Sequence, residues 1–177
     1  MNLNINIQDN VSPKIRNLMQ QYPDFIKSSI KSTAFFCMKE IQTGIKSGSP
    51  NGVRYAPFMP LNLRRRLNKV LGKGTSKIPL GKMFRAVKYE MIDDNSAKIG
   101  WLSPSAQKLG EKIESGLTRN VSNQVKVIFA MAKMPIDKSK IVIPKRETFA
   151  PMLAKLKPQI PKVFSDKFIR KVNRVLT

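Results

Sequence analysis

The chain has 177 residues, 33 Lys plus Arg against 11 Asp plus Glu, a formal net charge of +22, no histidine and one cysteine, Cys37. No Cys/His zinc site, disulfide framework, Ser-His-Asp triad or Cys-His nucleophilic centre can therefore be assembled within one chain. A hydrophobic fraction of 41% still supports a packed core, and the length suits a single domain with extensions.

The first residues, Met1 to Ile7, lack a basic leader and an apolar core segment, so no secretory signal is expected. Leu3, Ile5 and Ile7 alternate with polar residues and predict a short strand. Ser12-Pro13 reads as an N-cap and first turn, predicting a short helix toward Gln21. Pro23 and Asp24 then open a longer one, in which Ile26, Ile30, Ala34, Met38, Ile41 and Ile45 recur at steps of three and four. It ends near Lys46, before the glycine- and proline-rich cluster from Ser47 to Gly52. A segment from Leu61 to Leu71 predicts a second amphipathic helix, and Gly72 to Ser76 a break. Met83 to Met91 and Ala97 to Trp101 predict a hairpin around the turn Asp93-Asp94-Asn95-Ser96. Ser103-Pro104 caps a predicted helix that runs to Ser115 and stops at Gly116. Gln124 to Phe129 reads as a strand or a continuous buried run, and Lys140 to Ile143 as an edge strand limited by Pro144. Ile160, Phe164, Phe168, Val172 and Val175 mark a closing helix. The order of elements, without alternating βαβ units, predicts an α+β fold. No window approaches the roughly eighteen apolar residues of a membrane span, so a soluble, intracellular protein without membrane contact is expected.

Catalytic templates do not fit. Gly72-Lys73-Gly74-Thr75 lacks the glycine a P-loop needs five places earlier, where Leu67 stands, and Lys73 is followed by glycine. Asp93-Asp94 suits a turn, and Glu111 with Glu114 suits a solvated helix face, so no enzyme, metal or cofactor is expected. Cys37 and Trp101 read as core residues. The charge is concentrated instead: no acid lies between Glu40 and Glu90, a stretch that holds Arg64, Arg65, Arg66, Lys69 and Lys73. Such a stretch fits either a phosphate backbone or acidic protein neighbours, and both readings stay open.

Several signatures in series resemble a known family. They are Ser49-Pro50-Asn51-Gly52-Val53-Arg54-Tyr55-Ala56-Pro57, Leu61-Asn62-Leu63-Arg64-Arg65-Arg66, Pro79-Leu80-Gly81-Lys82-Met83 before Ala86-Val87-Lys88-Tyr89, Ala97-Lys98-Ile99-Gly100-Trp101, and Ile143-Pro144-Lys145-Arg146-Glu147-Thr148-Phe149. Across residues 24 to 175 this order is similar to the virion-morphogenesis family of tailed bacteriophages, the tail-completion and head–tail joining (neck) proteins. Pro144, Arg146 and Phe149 stand where that family carries a proline–arginine–aromatic box before its last helix. Leu109 to Gly116 stands where it carries a histidine-containing stretch.

The resemblance implies a small antiparallel sheet crossed by the long N-terminal helix, with a C-terminal helix and extended arms between neighbours. It also implies a non-enzymatic subunit of a six-fold ring, made in the host cytoplasm and residing in the virion neck. Its partners there would be further copies, portal-side connector proteins and tail-tube proteins, with packaged DNA in the channel. Arg64, Arg65, Arg66, Lys69 and Lys73 are the expected contacts with acidic neighbours or DNA. The box Pro144, Arg146 and Phe149 is expected to position the last helix or a subunit contact, Arg146 through a bidentate pair. Segments 47–60, 72–81 and 133–151, punctuated by glycine and proline, are the expected arms. The alternative is a small basic DNA- or RNA-binding protein.

Overall fold

The apolar spacing that begins at Ile26 builds the element on which the rest of the chain is assembled. In the computed structural model, which describes residues 12–75, 77 and 80–176, helix α1 runs unbroken over Ser12–Ser47, 36 residues. The predicted strand at Leu3, Ile5 and Ile7 lies outside the described residues. Two helices were expected on either side of Pro23; the structure has one, with Pro23 inside it. A proline removes one backbone donor and leaves the carbonyl four residues earlier, on Met19, without its partner. Met19 is 71% exposed, so water can take that role. Packing of Tyr22 edge-on against Phe168, with centroids 5.4 Å apart, supports the helix across this point.

The buried face of α1 holds Ala34, Cys37, Met38, Ile41 and Ile45, with Ser29, Thr33 and Gln42 among them. Two of the three polar members have partners, and the Ser29 hydroxyl has none among the described residues. The Thr33 hydroxyl donates to Ser29 O at 2.8 Å, and Gln42 Nε2 donates to Val87 O at 3.0 Å. That last bond pins the start of the hairpin to the helix.

Helix α2 covers Leu61–Val70, α3 Gly81–Ala86, and strands β1 Val87–Met91 and β2 Ala97–Trp101 form the antiparallel hairpin, with Val87 opposite Trp101 and Met91 opposite Ala97. The strand expected from Met83 therefore starts at Val87. Met83 and Val87 are four apart, so both can face the core whether the chain between them is helical or extended. The Trp101 indole N–H donates to Met83 O at 3.3 Å, in the middle of α3, and ties this short helix to the hairpin. The turn behaves as expected: Asp93 Oδ1 accepts from Asn95 N and Oδ2 from the Ser96 hydroxyl, both at 2.7 Å.

Helix α4 occupies Pro104–Ser115 with Ser103 as its cap, and β3, Leu117–Asn120, follows Gly116 directly. The expected strand at Gln124 to Phe129 is instead helix α5, Asn123–Met131. Its first turn is capped by the Ser122 hydroxyl, which accepts from Val125 N at 3.3 Å, and this local start overrides the strand preference of Val125, Val127 and Ile128. The partner of β3 is β4, Lys140–Ile143, with Leu117 opposite Ile143 and Asn120 opposite Lys140. Helices α6, Phe149–Leu156, and α7, Ile160–Leu176, complete the chain.

The fold is mixed helix and sheet, with the long α1 at its centre and two small antiparallel sheets of two strands each. The core lies where α1, α3, the hairpin, α4 and α6 meet, around Cys37, Ile41, Met83, Val87, Trp101 and Met152. Two glycines let elements approach closely. A Cβ on Gly44 would lie 2.8 Å from Met152 Sδ, and one on Gly110 would lie 1.8 Å from Trp101 Cε3. Lys155 ties α6 back to α1 through Glu40 at 2.6 Å, while α7 packs along α1.

Candidate functional site

The residues singled out in the sequence fall in two separate places. The first is α2. Arg65, Arg66 and Lys69 are exposed, and Arg65 and Lys69, four apart, share a helix face. Arg64 is half-buried, and its Nε donates to Met59 O at 3.1 Å, so it anchors the helix to the preceding extended segment. Lys73 is exposed in the turn beyond the helix, where its backbone N–H donates to Asn68 O at 2.8 Å. The Asn68 side chain donates in turn to Thr75 Oγ1 at 3.0 Å and holds that turn in place.

Helix α2 leans on α5, and neither helix buries a single residue. Yet α5 is apolar: Val127 is 56% exposed and Met131 66%. The ribbon β3–β4 is equally uncovered, with Val142 66% exposed and both strands largely in solvent. Both α5 and the ribbon thus carry apolar side chains outside any core, and α5 does so against the basic helix α2.

The second place is the box. Arg146 was expected to make a bidentate pair at the last helix or a subunit contact; it is buried inside its own chain. One guanidinium N–H donates to Pro144 O at 3.2 Å and another to Pro57 O at 3.3 Å. The guanidinium plane lies over the Phe58 ring at 4.4 Å from its centroid. Its backbone N–H donates to Ile113 O at 2.9 Å, and its Nε has no hydrogen-bond partner among the described residues. Burial pulls the Arg146 pKa below its ordinary value. The neutral carbonyls and the ring stand in for a counter-ion.

Next along the chain, Thr148 is buried, and its hydroxyl is hydrogen-bonded to the Tyr55 hydroxyl at 2.5 Å. Burial raises the Tyr55 phenol above its usual value, so it stays neutral and available as a donor. Glu114 Oε1 accepts from the backbone N–H groups of Thr148, at 2.8 Å, and Phe149, at 3.3 Å. A carboxylate there satisfies the open donors of α6 and complements its positive end. The expected solvated face at Glu111 and Glu114 is thus corrected at Glu114, which is half-buried and caps α6. Phe149 packs edge-on against Trp101, with centroids 4.8 Å apart. Pro144 is exposed, and its carbonyl is the part that matters.

The box therefore locks four pieces together: the segment Tyr55 to Phe58, the end of α4, the start of α6, and Trp101. It is 89 residues in sequence from Arg146 to its Pro57 partner, which explains why Tyr55, Phe58, Glu114 and Thr148 could not be found from local spacing. Segments 47–60 and 133–151, expected as arms, meet each other here through Tyr55, Pro57, Arg146 and Thr148. Nothing brings the α2 cations and the box together into one site.

Beneath the hairpin, an apolar trough with Cys37 in its floor opens in two adjoining hollows of about 380 and 320 Å³, sharing Cys37, Ile99 and Ile160. Burial pushes the Cys37 thiol up, so it is a packing group and a poor nucleophile. Among the described residues, no three His, Cys, Asp or Glu side chains gather to hold a metal ion, and no helix is long and apolar enough to cross a membrane. No family model, no curated protein and no solved structure matches the chain.

Proposed function

We propose that this chain is a structural subunit of a tailed-phage neck, a tail-completion or head–tail joining protein that acts by assembly and not by catalysis. The observation that carries this reading is the exposed apolar surface of α5 and of the β3–β4 ribbon, with the basic helix α2 packed on α5. A two-stranded ribbon alone is marginal in water, and a nine-residue helix draws its stability from packing rather than propensity. Both are exposed here, so a neighbouring subunit that covers Val127, Met131 and Val142 completes them. Arg65, Arg66 and Lys69, exposed on the helix that packs on α5, select an acidic neighbour. Such a subunit assembles into a ring, six-fold by the family resemblance, between connector and tail tube.

Sedimentation of the full chain, alone and mixed with tail tubes, tests the proposal. Species several times 20.0 kDa, or co-sedimentation with tubes, are expected. The pair Val127→Glu and Met131→Glu should abolish them while changing stability by no more than about 0.5 kcal/mol, because both side chains are exposed. A strict monomer that ignores tails and capsids overturns the assembly reading. The shared face of Arg65 and Lys69 also favours a second reading, a small DNA- or RNA-binding protein. Duplex binding that falls steeply with salt, and weakens when these two cations are removed, would select it.

A further inference from the structure

A different concentration of positive charge lies far from the α2 surface in sequence, where α7 packs on α1. A cleft of about 710 Å³ opens there, lined by Lys27, Lys31, Lys171 and Arg174, with Asp24 the one carboxylate among its described lining residues. Lys27 turns to Asp94 at the hairpin tip, 2.8 Å away. Among the described residues, no ion pair takes up Lys31, Lys171 or Arg174. Lys171 reaches across from α7 and donates to the Ser28 hydroxyl on α1. Its ammonium is held below the usual lysine range, first by burial and then by repulsion from Arg174 and Lys167.

A cleft lined by four cations and a single carboxylate carries a repulsion that an anion would relieve, and its walls concentrate the field. We propose that this cleft binds a phosphate group, held by Lys171 and Arg174 from α7 and by Lys31 from α1. Phosphate fits this set better than a carboxylate does. Its oxygens accept in several directions at once, and the planar fork of Arg174 matches two of them; a free phosphate adds a charge close to twice that of a carboxylate, whereas a backbone phosphodiester carries one. The group belongs either to a nucleic-acid backbone or to a free ion, and the cleft chemistry is the same for both. This site does not depend on the assembly reading, which rests on α2 and α5.

The test is calorimetric titration of the full chain with pyrophosphate and, separately, with a DNA duplex at low and moderate salt. The pair Lys171→Met and Arg174→Met keeps the apolar stems and removes the charges. Binding is expected to weaken on the order of tenfold or more, since hydrogen bonds to charged groups are the strong ones. If the duplex is the ligand, its salt slope should fall by about two. Lys31→Met, on the exposed side of α1, should weaken binding several-fold without disturbing the α1–α7 contact, and it decides the matter should the double variant fail to fold. Asp24→Asn should tighten binding. Pyrophosphate affinity without duplex affinity assigns a free phosphate; the converse assigns a backbone. A wild-type chain that binds neither, or cleft variants that bind as wild type does, overturns the proposal.

Discussion

Replacing Gly110 by alanine sets two effects of opposite sign against each other. In a helix interior alanine is favoured over glycine by about 1 kcal/mol. The new Cβ, however, would sit 1.8 Å from Trp101 Cε3, 2.2 Å from Cζ3 and 2.6 Å from Cδ2. Carbon atoms rest at about 3.5–4.0 Å, so the indole must withdraw by roughly 1.5–2 Å. That movement strains its bond to Met83 O at 3.3 Å, worth about 1 kcal/mol, and its edge contact with Phe149, worth about 0.5–1.5 kcal/mol. Overpacking adds about 1–3 kcal/mol. The clash wins, for a net loss of about 2–4 kcal/mol and a fall in Tm of roughly 5–15 °C. Trp101 is the chain's one tryptophan, so its emission reports both the native environment and the urea transition without a label. Gly110→Ala should shift the native emission and lower the midpoint. Equal or higher stability with unchanged emission would refute the placement of the indole on Gly110.

Two further outcomes follow from the geometry around the box and the core. Arg146→Lys should lower stability by about 1–3 kcal/mol, read from the urea midpoint, because one ammonium cannot serve Pro57 O and Pro144 O while stacking on Phe58. A neutral result would mean that the fork does not hold these segments. Cys37 is raised by burial, so the folded state resists losing its proton. The stability this represents is fully present below the unfolded thiol value of about 8.5 and is lost as pH rises through the folded value. The stability of the wild type relative to Cys37→Ala should therefore decline as pH rises above about 8.5; a difference independent of pH would show that the thiol is solvated.

Elements with their own start and stop signals were legible in the sequence. Helix α4 lies between Ser103 and Gly116 as expected, and β2 spans Ala97–Trp101, because capping and turn chemistry act over three or four residues. The long α1 and the closing α7 follow from apolar spacing sustained over several turns. The failures came where local preference was divided. Val125 to Phe129 favours a strand by composition, yet Ser122 starts a helix there and β4 supplies β3 with its partner. Pro23 reads as a helix start, yet the chain stays helical where its exposed side can be hydrated and Tyr22 finds Phe168.

The candidate sites divide in the same way. Composition alone excluded histidine chemistry, metal sites of the Cys/His type and disulfides, and the distribution of acids marked the basic stretch from residue 41 to 89. Arg65 and Lys69 stay exposed on α2, as charged residues outside any apolar pattern are expected to be. Only the tertiary structure decided what the buried groups do. Arg146 leaves the charged surface and binds carbonyls, Glu114 leaves its solvated face and caps α6, and Lys171 meets α1 at Ser28, 143 residues earlier. A buried polar group must find its partners wherever the fold brings them, and those partners lie too far along the chain for any local pattern to name.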